Sequence, residues 1–165
     1  HFLSGFKTDD KKFHFRVDWP AIGSTGPDLP ALPDYCEAID ASDEAHPFRL
    51  VTAPAHNYLN TSFTETETSI KREDKPSILL APVDAKKMGV SKGTRLRVGN
   101  MLGEITLPAR IAENGQKQGV VVIESVWPNG AFENGLGVNT LTSADPAGPV
   151  GGAVFHDTSV WVKPA

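Results

Sequence analysis

Apolar residues in this chain come in short bursts, most of them spaced as in a strand. Residues 13–19 (FHFRVDW) alternate apolar and polar, the period of a half-buried strand. Residues 48–52 (FRLVT) and 77–81 (SILLA) are two further short apolar segments. Residues 94–98 and 103–111 predict a hairpin around Gly99-Asn100, a dipeptide that tolerates positive φ. The run at 119–125 (GVVVIES) predicts a strand buried on both faces, and 153–162 (AVFHDTSVWV) a closing strand. Only PVDAKKMG at 82–89 has the marks of a short helix, with Pro82 in the first turn and Gly89 as a left-handed stop. Residues 127–137 and 139–152 are rich in glycine, asparagine and proline and predict loops. About six short strands with little helix, and no repeat of fixed period, predict a small β-barrel.

Proline punctuation divides the chain. Pro20, Pro27, Pro30 and Pro33, with Pro47 just beyond, leave few periodic apolar positions between 20 and 45. That pattern predicts an extended connector over 1–46, holding one strand, ahead of a compact domain at 47–165. The chain has 165 residues, 39% of them hydrophobic, enough for one core.

Charge and cysteine content narrow the function. Sixteen basic against twenty acidic residues give a net charge of −4, and no basic stripe suited to nucleic acid is present. The single cysteine, Cys36, excludes an intrachain disulfide framework and fits a reducing, cytoplasmic setting. No apolar run approaches the roughly 20 residues of a helical membrane span, so membrane insertion is not expected. There is no phosphate-binding GxxxxGK[ST] loop, no GxGxxG and no HExxH. The five histidines are dispersed, and no metal site is expected. Asp157-Thr158-Ser159 superficially resembles an aspartic-protease motif, but it occurs once and lacks the glycine. A strand-edge Asp capping a turn accounts for it as well.

Two loops carry more polar chemistry than a bare barrel requires. Residues 52–63 (TAPAHNYLNTSF) place hydroxyls, amides, an imidazole and aromatic rings just after a strand. Residues 138–146 (VNTLTSADP) gather hydrogen-bonding groups around Leu141. Both suit a heteroaromatic ligand, with backbone N–H groups available to phosphate. A polar loop merely covering a barrel mouth is the alternative.

In order, HPFRLVTAPAHNYLNTSF, SILLAPVDAKKMGVSKGTRLRVGNMLGEITLPARI, GVVVIESVW, GVNTLTSADP and VFHDTSVWV resemble the C-terminal molybdopterin dinucleotide-binding domain of dimethyl sulfoxide reductase/formate dehydrogenase-type oxidoreductases. The resemblance runs from Pro47 to the end. It implies a mainly β fold, a six-stranded double-psi β-barrel of the aspartate decarboxylase-like kind with one or two short helices. It implies binding of a molybdenum (bis)molybdopterin guanine dinucleotide, with the preceding catalytic domains of one polypeptide as partners. Carried over by position, the cofactor-binding residues are Thr52, Pro54, His56, Asn60, Ser62, Phe63, Trp127, Asn139, Leu141, Thr142, Asp157 and Thr158. Such groups bind and orient; the chain by itself is not expected to turn over substrate. Thr52-Ala53-Pro54 departs from the family's frequent Thr-x-Arg and looks closer to formate dehydrogenase or biotin sulfoxide reductase-like members. The competing reading is a stand-alone double-psi barrel serving as an adaptor or substrate-binding subunit without a redox role.

Overall fold

A computed structural model describes residues 2–19, 21–23, 29–32, 34, 41–147, 151–156 and 158–165. The chain folds as two compact units, one formed by residues 1–38 with 145–153, the other by residues 39–144 with 154–165.

The larger unit is a closed six-stranded barrel, the double-psi fold expected. Its strands are β1 (Phe48–Pro54), β2 (Ile78–Leu80), β3 (Arg95–Gly99), β4 (Glu104–Ile111), β5 (Val120–Ser125) and β8 (Thr158–Pro164). They run around the barrel in the order β1-β5-β2-β4-β3-β8. β1 lies parallel to β5 (Leu50 beside Val121) and antiparallel to β8, while β2 is parallel to β4 and antiparallel to β5. Alternation sets the faces. Leu96 and Val98 of β3, Ile105, Leu107 and Ala109 of β4, and Val160 of β8 point into one core with Leu50, Ile78 and Leu80. β5 follows the same rule: Val121 and Ile123 are buried, whereas Val120 and Val122 are only partly so. The strand predicted as buried on both faces is therefore half-buried.

Helix α2 (Pro82–Met88) matches its sequence signals. Pro82 stands in its first turn, and Gly89 takes the left-handed conformation (φ 66°), its N–H reaching the carbonyls of Ala85 and Lys86. The buried Asp84 carboxylate accepts the Gly119 N–H at 2.7 Å, tying the start of the helix to the approach of β5. A second helix, α1 (Glu67–Glu73), has no buried residue and hence no apolar stripe to betray it.

The β3–β4 hairpin forms as expected, but for a different reason. Neither Gly99 nor Asn100 lies at positive φ. A Cβ on Gly99 would come within 2.3 Å of the Trp161 ring, so glycine is required there by close packing. Asn100 closes the turn through Gly103 and Leu102.

In the smaller unit β6 (Pro146–Ala147) pairs with β7 (Gly152–Ala153). The strand expected over 13–19 is absent. Val17 N–H reaches the Ala31 carbonyl and Trp19 Nε1–H the Pro30 carbonyl, but no ladder forms. Pro30 has no N–H to return a bond, so the alternation finds no pairing edge. The last strand also starts later than expected: Ala153 belongs to β7, residues 154–156 are irregular, and β8 begins at Thr158. Pro20, Pro27, Pro33, Cys36 and Asp157 lie outside the described residues.

Candidate functional site

β1 and β5 run parallel and end side by side at Pro54 and Ser125. Each then releases a loop at the same end of the barrel. Between these loops lies a cavity of about 760 Å³ within the larger unit, a size that suits a small-molecule or cofactor site. The loop after β1 contributes Thr52, Pro54, Asn60, Thr61, Thr64 and Glu65. The segment after β5 contributes Val126, Trp127, Pro128, Asn129, Phe132, Gly137, Val138, Asn139 and Thr142, and Phe155 and His156 complete the lining before β8. Hydroxyls, amides and aromatic planes therefore face one space, with Glu65 as its carboxylate and no lysine or arginine among the described lining residues.

Buried apolar anchors set the position of the polar groups. Val138 and Leu141 lie in a turn of 3₁₀ helix and are 6% and 0% exposed, which leaves Asn139 facing the cavity. Asn100 Nδ2–H donates to the Leu141 carbonyl at 2.8 Å, clamping this turn to the β3–β4 hairpin. Thr142 N–H and Oγ1–H both reach the Asn139 carbonyl. Gly137 has a packing role: a Cβ there would lie 2.6 Å from Asn129 Oδ1.

The wall behind Trp127 is Tyr58, ring edge to ring face at 5.1 Å. Tyr58 Oη and Trp127 Nε1 are both buried without a hydrogen-bond partner among the described residues. Burial, with a smaller contribution from the Glu73 charge, pushes the Tyr58 phenol above its ordinary range. Glu73 is held in turn by the backbone N–H and side-chain amide of Asn57. Val126, a β-branched residue on the cavity wall, adopts φ 64°. Such strain is sparse in folded proteins and tends to collect at functional sites.

Of the residues singled out from the sequence, Thr52, Pro54, Asn60, Trp127, Asn139 and Thr142 meet around this cavity. Leu141 is in the core beneath it, and Thr158 is buried on β8 opposite Leu50. His56 opens into a second cavity. Ser62, bonded to Leu59 across the loop, and Phe63 are exposed and do not line the first. Sequence reasoning missed Glu65, Val126, Asn129, Gly137, Phe155 and His156. Proximity in sequence to the predicted residues was the one signal available for Val126 and Glu65. Among the described residues, no three His, Cys, Asp or Glu side chains gather as a metal site.

Comparison with known proteins places the chain in a family. The family model described as molydopterin dinucleotide binding domain matches residues 48–159, spanning both loops. "Probable oxidoreductase YoaE" of Bacillus subtilis (strain 168) is 36% identical over 135 residues, covering 82% of this chain and 19% of that protein. The "F420-dependent formate dehydrogenase subunit alpha" of Methanocaldococcus jannaschii is 32% identical over 90 residues, 53% of this chain and 13% of that one. The chain thus spans less than a fifth of either curated relative. Among solved structures, acetylene hydratase from Pelobacter acetylenicus superposes with a TM-score of 0.74 at 16% identity, over 98% of this chain and 24% of that one, a likeness of fold. With the family match running through both cavity-forming loops, the chain belongs to the molydopterin dinucleotide binding domain family.

Proposed function

We propose that the barrel unit binds and orients a molybdenum (bis)molybdopterin guanine dinucleotide as one domain of a larger cytoplasmic oxidoreductase of the formate dehydrogenase or biotin sulfoxide reductase-like kind. The observation that carries this reading is the meeting of Thr52, Pro54 and Asn60 with Asn139 and Thr142, some eighty residues later, around one cavity. Its donor set fits the group. Amides and hydroxyls match the edges of a pterin or guanine ring, and Trp127 and Phe155 offer planes for stacking. The Glu65 carboxylate is an acceptor suited to the N–H edge of guanine. With no lysine or arginine in the described lining, phosphates fall to backbone N–H groups.

In this reading Asn139 and Thr142 hold the ring by hydrogen bonds, and Leu141 acts from the core by fixing both. Thr158, buried on β8, supports the same floor. His56, Ser62 and Phe63, carried on the β1 loop, serve the parts of the cofactor outside the cavity, and Asp157 is a further contact in this reading. When bound, the metal centre supplies the redox chemistry; this chain's residues bind, orient and exclude water. The preceding domains of the same polypeptide hold the remainder of the cofactor.

Guanosine diphosphate is the probe for the nucleotide end, with quenching of Trp127 fluorescence as the readout. Saturable quenching is expected. The double variant Asn139→Ala/Thr142→Val removes two hydrogen bonds worth about 0.5–1.5 kcal/mol each, so affinity should fall about tenfold with circular dichroism unchanged. Absent saturation, or equal affinity in the double variant, refutes the site.

A further inference from the structure

The barrel unit holds a second cavity, of about 470 Å³, lined by residues of the β1 loop, the end of α1 and the segment after it, the β3 approach, and strands β4 and β5. We infer that it is an anion site, built for a small multiply charged oxyanion such as a phosphate or a polycarboxylate. The inference does not depend on the cofactor reading, because the cation-lined cavity shares no residue with the first.

Four cationic side chains line it: Arg72, Lys75, Lys92 and Arg110. They come from three separate stretches of chain, so the fold itself brings them together. Three carboxylates line it as well, one of them paired with a cation, so the cations outnumber the carboxylates by one. Glu73 is bonded to Asn57, and Glu124 lies 3.6 Å from Arg110. Glu73 and Asp74 remain to oppose Arg72, Lys75 and Lys92, none of which forms an ion pair among the described residues. By contrast, Arg95 and Arg97, on the outer face of the barrel, are each paired with a glutamate. In a chain of net charge −4, this concavity keeps an excess of positive charge.

A second observation points to a ligand. Ser77 is 8% exposed and lines the same cavity, yet its hydroxyl has no hydrogen-bond partner among the described residues. Nor is it among the side-chain atoms sealed off without a partner, Tyr58 Oη and Trp127 Nε1. The hydroxyl is therefore unbonded yet not sealed off, and it belongs to a mostly buried residue that lines the cavity beside ammonium and guanidinium groups. A neutral donor amid cations is the arrangement that captures an oxyanion.

The test is an amide NMR titration of the whole 165-residue chain at low ionic strength, with inorganic diphosphate and, separately, citrate as probes. Saturable shifts at Asn57, Ser77 and Gly93 are expected, weakening as salt is added. Lys75→Gln/Lys92→Gln should raise the dissociation constant at least tenfold, and Ser77→Ala about threefold, whereas Asn139→Ala should leave it unchanged. Saturation by diphosphate alone assigns a phosphoryl ligand, by citrate alone a carboxylate, and by both a general oligo-anion site. Shifts that do not saturate, that centre on Asn139 and Thr142, or that persist at equal affinity in Lys75→Gln/Lys92→Gln overturn the inference. Guanosine diphosphate binding at the first cavity, read by Trp127, is scored separately, so either idea can fail alone.

Discussion

Replacing Leu141 with alanine tests whether this side chain works from the core beneath the cavity. Leu141 is 0% exposed and packs in the same cluster as Phe132 and Val138, while its carbonyl is fixed by Asn100. Truncating a buried leucine costs the lost transfer energy plus the cavity left behind, about 2–5 kcal/mol. Leu141 sits in a short turn at the margin of the barrel, where partial collapse is available, so about 3 kcal/mol is expected. For a chain of this size that lowers Tm by about 6–12 °C. Urea unfolding followed by tryptophan fluorescence measures it, with Leu141→Met as the volume-conserving control, expected to cost less than about 1.5 kcal/mol. The guanosine diphosphate titration supplies the second readout. A Leu141→Ala protein that loses under about 1 kcal/mol of stability, yet loses most of its affinity, would show Leu141 to be a ligand contact, and the anchoring argument would be refuted.

Asn100→Ala removes the clamp on the Leu141 carbonyl and the bond to Leu102 N–H. A loss of about 2 kcal/mol, or about 4–8 °C in Tm by calorimetry, is expected. Gly137→Ala should behave in the opposite way: a Cβ 2.6 Å from Asn129 Oδ1 displaces a side-chain tip, so stability should hold within about 1 kcal/mol while probe affinity falls. Tyr58 supplies a pH signature. Burial raises its phenol in the folded state, so its contribution to stability is complete below the unfolded value near pH 10 and is lost as pH rises through the folded one. Urea unfolding between about pH 8 and 11 should show this alkaline loss, reduced in Tyr58→Phe. Because its hydroxyl is buried without a partner among the described residues, Tyr58→Phe should be neutral or stabilising at about pH 7.

The barrel was legible because its strands bury one face each and so write their period into the chain. Leu96/Val98 and Ile105/Leu107/Ala109 are such alternations. The helix α2 was legible from Pro82 and Gly89, residues whose backbone restrictions act locally. What was not legible depended on partners distant in sequence. Residues 13–19 alternate as well as β3 does, but face Pro30. α1 buries no residue fully, so no periodicity marks it. Half of the residues expected in the site do meet at the first cavity. His56 and Leu141 could not be placed from sequence, because which way a loop side chain turns is set by the strand ends beneath it. The identity of the two loops rested on resemblance, and the family match spans both.

The pairing of β1 also governs when the site can exist. Its two neighbours, β5 and β8, lie about seventy and more than a hundred residues further along the chain. Bringing such distant segments together costs loop-closure entropy before any contact offsets it, so barrel closure is a late, slow event in folding. The cavity inherits that timing. Its lining runs from Thr52 to His156, ending at the threshold of the strand that seals the sheet. A nascent chain that has released only the first loop offers the cofactor half a wall. Occupation of this cavity by a ligand is accordingly expected to follow closure of the barrel, and the open barrel that precedes it exposes apolar surface and unpaired strand edges.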